Sequence, residues 1–202
     1  MRYIKNFEAN RQFMGDELKS FFEKQVPLEE EAWKDLQKVV EVRDLKRKEH
    51  FLDQGEICKH LGFIVKGYVR LYFLKDGDEI TKDFNFENSF CGSYASFSLR
   101  QPSRFNIVAM EKLKLYTIGR EDLFRLFDKY PSMQKLGRLS MEHMFIRKEM
   151  REASFLLDSA EQRYQDLLLQ YPKITQRVPL KYLASYLGIT AETLSRIRAL
   201  KS

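Results

Sequence analysis

The apolar and polar positions follow different periods in successive parts of the chain. In residues 1–45 apolar side chains recur three and four positions apart, which predicts helices over about residues 16–25 and 28–42, separated by Pro27. Three glutamates stand near the start of the second segment, where the helix dipole favours acidic side chains. We therefore expect a helical N-terminal segment that covers another part of the structure.

Short β-type runs occupy the chain from about residue 44 to residue 118. They alternate with turn signals spaced roughly ten residues apart. These signals are Asp53-Gln54-Gly55, Lys66-Gly67, Asp76-Gly77-Asp78, Glu87-Asn88 and Gln101-Pro102. The spacing predicts an antiparallel β barrel or sandwich.

The run after the Asp76-Gly77 hairpin contains one unusual position. Strict alternation would place Ile80, Lys82 and Phe84 on one face of the strand. A lysine in the middle of an apolar face favours a position near an open end of the barrel or beside a polar cavity.

Helical periodicity returns after residue 119 and predicts helices over residues 120–129, 132–158 and 159–171. In the long middle helix, a seam recurs at heptad spacing beside a charged face. The members of this seam are Leu136, Leu139, His143, Ile146, Met150, Ala153 and Leu157. The pattern favours a two-stranded dimer interface, with His143 as a register device or a simple polar break. Packing of the helix on its own domain is the alternative.

Residues 180–200 have the pattern of a helix-turn-helix. Ala184 is small where two helices cross, Gly188 stands where a left-handed residue ends the first helix, and Leu194 faces the apolar seam. Thr190 is the predicted N-cap of the second helix. The predicted DNA contacts on the polar side are Lys181, Thr190, Ala191, Glu192, Ser195, Arg196 and Arg198. A simple αα-hairpin is the alternative from spacing alone.

The distribution of charge favours the first of these alternatives. The 202-residue chain has a net charge of +6, and residues 171–202 contain six basic residues and one acid, a net charge of +5. A basic end on a nearly balanced body is typical of proteins that bind phosphate backbone. We therefore predict double-stranded DNA as a partner of this end of the chain.

Composition argues against several other classes of protein. No apolar run approaches the roughly 20 residues of a membrane helix, and the N-terminus has no apolar signal-peptide core, so we expect no membrane association and a cytoplasmic location. Cys58 and Cys91 fit a reducing compartment, and neither they nor the scattered histidines have metal-ligand spacing. We find no nucleophile–base pair and no Gly-rich phosphate loop. We therefore expect no enzyme activity, no metal and no cofactor.

Several short motifs occur in the same order as the predicted elements. They are Gly55-Glu56-Ile57, residues 61–70 (LGFIVKGYVR), Phe90-Cys91-Gly92, Ile107-Val108-Ala109 and residues 191–196 (AETLSR). With these motifs the chain resembles the Crp/Fnr family of transcription regulators over nearly its whole length. Residues 93–104 and 159–164 resemble the branch of the family that is common in Bacteroidetes.

The resemblance implies an α+β fold. It consists of N-terminal helices, an antiparallel β-roll of the jelly-roll-like cyclic-nucleotide-binding type, a long dimerisation helix and a C-terminal winged-helix-like helix-turn-helix. The corresponding units are residues 1–131, 132–158 and 159–202. Because the printed sequence ends soon after the second helix of the helix-turn-helix, we expect the wing to be absent.

The resemblance also implies a ligand site, from which this chain departs. In cyclic-AMP binders a glutamate follows a glycine and an arginine-serine pair stands further along, whereas here Ser93 follows Gly92 and the order is Ser103-Arg104. A hydroxyl cannot replace the charge-assisted hydrogen bond of a carboxylate to ribose. We therefore expect that cyclic AMP is not the effector, whose identity stays open. The predicted ligand-site residues are Gly92, Ser93, Tyr94, Arg100, Ser103 and Arg104.

Some of these assignments have alternatives. Core filling of the roll is the alternative for Tyr94, Phe97 and Phe105. In the second helix of the helix-turn-helix, Glu192 and Arg196 match the family's base-contacting pair, but Ala191 stands where an arginine often precedes the glutamate.

The family resemblance implies a homodimer that binds a palindromic operator, with RNA polymerase as a further candidate partner. Its two helix-turn-helix units would occupy successive major grooves about 34 Å apart. The roll would act as a sensor that shifts a hinge near residues 155–160. The alternative function is a cyclic-nucleotide-binding-like module that binds a protein partner through its C-terminal helices.

Overall fold

A computed structural model describes residues 16–200; residues 1–15, which belong to the predicted N-terminal helical segment, lie outside the described residues. The helices in this part of the chain are α1 (Asp16–Glu23), α2 (Glu30–Val39), α3 (Tyr94–Leu99), α4 (Arg120–Lys129), α5 (Pro131–Leu157), α6 (Ala160–Gln170), α7 (Ile174–Arg177), α8 (Leu180–Leu187) and α9 (Ala191–Ala199). The strands are β1 (Glu41–Leu45), β2 (His50–Leu52), β3 (His60–Lys66), β4 (Val69–Lys75), β5 (Asp78–Asn85), β6 (Phe90–Cys91), β7 (Asn106–Ala109) and β8 (Leu113–Gly119).

The strands form two antiparallel four-stranded sheets that together make the predicted β-roll. Their orders are β1-β8-β3-β6 and β2-β7-β4-β5. Asp76 and Gly77 turn the chain between β4 and β5 with φ angles of 53° and 88°, the two positive values that a tight hairpin requires. The interior of the roll is apolar, with Phe97, Ile107 and Leu113 fully buried. The α+β fold class is confirmed.

The N-terminal helices end earlier than the pattern predicted. The second predicted helix extended to residue 42, but helix α2 stops at Val39, and Glu41 and Val42 belong to strand β1. Glu41 pairs with Thr117 and Leu45 with Leu113 on β8. Three of the four residues 39–42 are valines, which favour a strand, and the apolar spacing typical of a helix continues for only a few residues there. The edge of β8 supplies the hydrogen-bond partners that make this segment a strand.

A β-bulge changes which residues of β5 share a face. Leu71 pairs with Asp83 and the next residue, Tyr72, pairs with Thr81, so that Lys82 is the extra residue. Ile80 is therefore 45% exposed and lies on the face opposite the buried Phe84. The prediction that Ile80, Lys82 and Phe84 lie on one face is wrong, because alternation holds only in a strand without a bulge.

The predicted limits of the later helices agree closely with the structure. Helix α4 ends before Tyr130, and Pro131 occupies the first turn of α5, where its missing N–H needs no partner. Ser159 caps α6 in a full capping box with Gln162. The short helices α3 and α7 were not predicted.

Three apolar clusters hold the described residues together. One fills the roll; a second joins α1 and α2 to the roll, to α4 and to the first turns of α5; the third joins the outer face of the roll to the C-terminal helices. The third cluster contains Tyr68 and Phe84 of the roll together with Leu183 and Leu194. The helix-turn-helix is therefore packed against the roll of its own chain. The division at residues 131 and 158 stays a prediction.

Candidate functional site

Residues 180–199 form the predicted helix-turn-helix. Gly188 ends α8 in the left-handed conformation, with φ 70° and ψ 31°. The Ile189 N–H then donates to the carbonyl oxygen of Ala184 at 3.0 Å. The Thr190 hydroxyl caps α9 by accepting from the N–H of Thr193 at 3.2 Å. This cap is of the simple hydroxyl kind that the sequence predicted.

The polar face of α9 is exposed to solvent. Its side chains at Glu192, Ser195, Arg196 and Arg198 are exposed, as are Thr190 and Lys181, whereas Ala191 is half-buried. Hydrogen bonds from its own backbone N–H and from the Thr190 side chain lower the pKa of Glu192, so its carboxylate is ionised at neutral pH. Each of the predicted DNA contacts is thus exposed except Ala191, which is partly covered.

A contact that sequence reasoning missed joins the end of the long helix to this unit. Nη1 of Arg163 donates to the carbonyl oxygen of Asp158 at 2.7 Å, while Nε and Nη2 donate to that of Leu187 at 3.2 and 3.0 Å. The Phe155 ring lies 4.9 Å from the Arg163 guanidinium and packs at Gly188. The only sequence signal was Arg163 in a family-like motif. This clamp crosses the hinge predicted near residues 155–160.

The outer face of the roll holds α8 directly. The backbone N–H of Thr81 on β5 donates to the Ser185 hydroxyl at 2.9 Å. The Arg70 guanidinium lies 4.5 Å from the ring of Tyr72 and 3.8 Å from that of Tyr182, and its Nε donates to the Thr81 hydroxyl at 3.0 Å. Only 2% of Arg70 is exposed. A buried arginine therefore lies between the β4–β5 hairpin and the helix-turn-helix.

Arg177, one of the basic residues at the C-terminal end, is bound to the roll. Its two terminal nitrogens each donate to a carboxylate oxygen of Glu87 at 2.8 Å, and it also pairs with Glu111. Burial opposes ionisation of Glu87, but hydrogen bonds from Arg177 and from the backbone N–H groups of Glu87 and Gly67, with the charge of Arg177, together outweigh it and lower the pKa of the carboxyl. Because the Arg177 guanidinium is already paired with two carboxylates, we do not expect it to bind a DNA phosphate.

The heptad seam of α5 divides into a covered and an exposed part. Leu136 is 4% exposed and packs in the second apolar cluster, so it has almost no surface for a partner helix. Its assignment to a dimer interface is corrected on that ground. Leu139 is half-buried, and the exposed members are His143, Ile146, Met150, Ala153 and Leu157. Two further apolar residues of the same helix are also exposed: Phe145 is 67% exposed and Leu156 is 78% exposed.

Of the predicted ligand-site residues, only Ser103 and Arg104 line the groove described below. Ser93 is buried before α3, and a Cβ at Gly92 would lie 2.6 Å from Leu61 Cδ2, so this turn is already filled. Arg100 is exposed and pairs with Glu121 at 3.2 Å. Tyr94 is half-buried, and Phe97 is fully buried in the core of the roll.

Ser103 and Arg104 instead line a groove beside the β4–β5 hairpin. Its volume is about 580 Å³, within the usual range for small-molecule sites. The lining residues are Gln54, Gly55, Phe73, Leu74, Lys75, Ile80, Pro102, Ser103 and Arg104. We call this the hairpin groove. Nearby, the Nζ of Lys82 lies 5.0 Å from the ring centroid of Phe105, and burial lowers the pKa of this lysine.

Residues 16–200 lack two further kinds of feature. No helix in this range combines the length and apolar character needed to cross a membrane. No group of three or more histidine, cysteine or acidic side chains in the same range is arranged to hold a metal ion.

Comparison with known proteins identifies the type of domain that the roll forms. Residues 42–130 match the family model of the cyclic nucleotide-binding domain. No curated protein matches the sequence. These residues therefore form a domain of the cyclic nucleotide-binding type.

Solved structures show the same fold over most of the chain. FixK2 from Bradyrhizobium japonicum superposes with a TM-score of 0.71 at 17% identity, covering 80% of this chain and 84% of that chain. CLP from Xanthomonas campestris, a global regulator described as responsive to c-di-GMP, gives 0.69 at 16% identity, covering 86% and 92%. A Crp/Fnr family regulator from Eubacterium rectale gives 0.66 at 20% identity, covering 86% and 84%. The described chain has the fold of the Crp/Fnr regulators.

Proposed function

We propose that the chain is a cytoplasmic, homodimeric transcription regulator of the Crp/Fnr type that binds double-stranded DNA at a palindromic operator. The observation that carries this proposal is the exposed polar face of α9, which the buried Leu194 and the Arg163 clamp hold in a defined orientation. A helix presented in this way has the geometry that major-groove recognition requires. The residues around Ser93 and Ser159 further support the Bacteroidetes-type branch.

The residues of α9 suggest distinct roles on DNA. Arg196 can donate two hydrogen bonds to guanine, and the ionised Glu192 can accept one from the amino group of cytosine. Thr190 and Lys181 are both exposed and are suited to phosphate contacts that set the position of the helix. Specificity would then depend mainly on Glu192 and Arg196.

Dimerisation through α5 would bring two such helices together. Ile146, Met150 and Leu157 are between 56% and 82% exposed along one helix, which leaves an apolar stripe that no part of residues 16–200 covers. Pairing with a second copy would remove this stripe from water.

The roll supplies the sensing part of the proposal. We propose that it does not take cyclic AMP, because Ser93 offers no carboxylate for the ribose and the Gly92 turn is closely packed. A signal would act only through different affinities for two arrangements of the dimer. RNA polymerase is a further proposed partner.

Selection of DNA from a random pool tests the proposal. The ligand-free protein should enrich a palindrome with half-sites about one helical turn apart. Arg196→Ala and Glu192→Ala should each weaken binding to that palindrome by about 1–3 kcal/mol, roughly 5- to 150-fold. Arg125→Ala is the matched control, since Arg125 is an exposed arginine on α4 and far from α9 in the chain.

The opposite result would favour the protein-adaptor function. Full operator affinity in Arg196→Ala would show that α9 does not contact bases. Enrichment of no sequence at all, with only salt-sensitive nonspecific binding, would contradict the proposal for the ligand-free protein.

A further inference from the structure

The hairpin groove combines an apolar floor with unpaired cations. Phe73, Leu74 and Ile80 supply the apolar surface, and Leu74 and Ile80 are 49% and 45% exposed. Lys75 and Arg104 line the groove and are exposed, and neither has a carboxylate within ion-pair distance among residues 16–200.

The walls of the groove are held by hydrogen bonds between separate parts of the chain. The side-chain oxygen of Gln54 accepts from the N–H of Leu74 at 3.0 Å. The N–H of Gly55 donates to the carbonyl oxygen of Ser103 at 2.8 Å, and the N–H of Ser103 donates to that of Glu56 at 2.7 Å. The groove is thus a built part of the fold, with no acidic residue in its lining.

The same hairpin carries the contact with the helix-turn-helix on its other face. Phe73 pairs with Ile80 toward the groove, and the next pair, Tyr72 with Thr81, lies against α8. Thr81 binds the Ser185 hydroxyl through its backbone N–H. A molecule that displaces Phe73 or Ile80 would therefore move the strand positions that hold α8.

We propose that the hairpin groove binds a small organic anion with an apolar body, such as an aromatic or branched carboxylate or sulfonate. The apolar part would lie on Phe73 and Ile80, and the anionic group would be held by Lys75 and Arg104. Binding would bias the position of α8 through the β4–β5 hairpin. This regulatory consequence rests on the proposed DNA-binding function, whereas the binding itself does not.

Two fluorescent probes that differ in charge test the binding. 8-Anilinonaphthalene-1-sulfonate is an aromatic anion, and N-phenyl-1-naphthylamine is its uncharged counterpart. In Arg104→Gln, the dissociation constant of the sulfonate should rise about tenfold, the loss of one charge-assisted hydrogen bond, while that of the neutral probe changes less than about twofold. Ile80→Gln should weaken the binding of both probes. Because Ile80 is 45% exposed, we expect this variant to keep its fold, which circular dichroism checks.

Arg125→Gln is the matched control, because Arg125 is an exposed arginine on α4 and is not among the residues that line the groove. Its probe affinities should equal those of the unchanged protein. Sulfonate binding that is insensitive to Arg104→Gln, or that is lost in Arg125→Gln instead, overturns the proposal. Because probe binding needs no DNA, a failed operator selection would contradict the proposed function and leave this site standing.

Discussion

The substitution Gly188→Ala adds a single methyl group and tests the turn of the helix-turn-helix directly. The left-handed conformation of Gly188, φ 70° and ψ 31°, costs a residue with a Cβ about 1–2 kcal/mol. A Cβ there would also lie 2.9 Å from Cε1 of Phe155, so the ring must move. Movement disturbs its contacts with the guanidinium groups of Arg151 and Arg163, at 4.8 and 4.9 Å, each worth about 0.5–1 kcal/mol. We expect Gly188→Ala to destabilise this unit by about 2–3 kcal/mol.

Amide hydrogen exchange at Ile189 measures this loss locally, because its N–H is bonded to Ala184 across the turn. Gly119→Ala is the control: Gly119 has φ −73°, and a Cβ there would meet nothing closer than 3.9 Å, so exchange at Ile189 should not change. In a Phe155→Ala background only the backbone cost of Gly188→Ala should remain. Unchanged protection in Gly188→Ala would refute the left-handed turn, and an equal loss with and without the ring would refute the contact.

Three further substitutions test the dimer, the clamp and the attachment to the roll. Ile146→Asp should convert a dimer to a monomer in sedimentation equilibrium, whereas Leu169→Asp, equally polar and on the 80%-exposed position of α6, should not. Arg163→Lys cannot bridge both carbonyl oxygens, so operator affinity should fall about tenfold with the fold intact by circular dichroism; unchanged affinity would contradict a positioning role. Because Arg177 lowers the pKa of Glu87, this contact is fully stabilising above the ordinary value of 4.5 and is lost as pH falls below it. Hydrogen exchange in α7 should show that loss, and Glu87→Gln should abolish its pH dependence.

The ends of the helices could be predicted because their signals are local. Pro131, Ser159, Gly188 and Thr190 act on backbone groups within about one turn of their own position. The capping hydrogen bonds need no distant partner. For that reason the limits of α4 to α6, α8 and α9 agree with the pattern within one or two residues.

Strand β1 and the bulge in β5 could not be predicted in the same way. Residues 39–42 are compatible with either a short helix or a strand, and pairing with β8 decides between them. Nothing in the sequence around Lys82 indicates that it is the extra residue of a bulge, because the pairing register depends on both β4 and β5.

The candidate site shows the same division. The sequence determined the exposed face of α9, since helical spacing and charge are properties of one short segment. It could not show that Arg177 would pair with Glu87, 90 residues away, or that Leu136 would be buried against other helices.

For this protein, sequence alone determined the order of the longer elements, the caps, the hairpin turn and the polar face of the helix-turn-helix. Tertiary structure decided the start of β1, the faces of β5, the residues that converge on the hairpin groove and the attachment of α8 to the roll. The physical reason is the range of the interactions. Capping and periodicity act over three or four residues, whereas the groove joins residues 54–55, 73–75, 80 and 102–104, which only the folded sheets bring together.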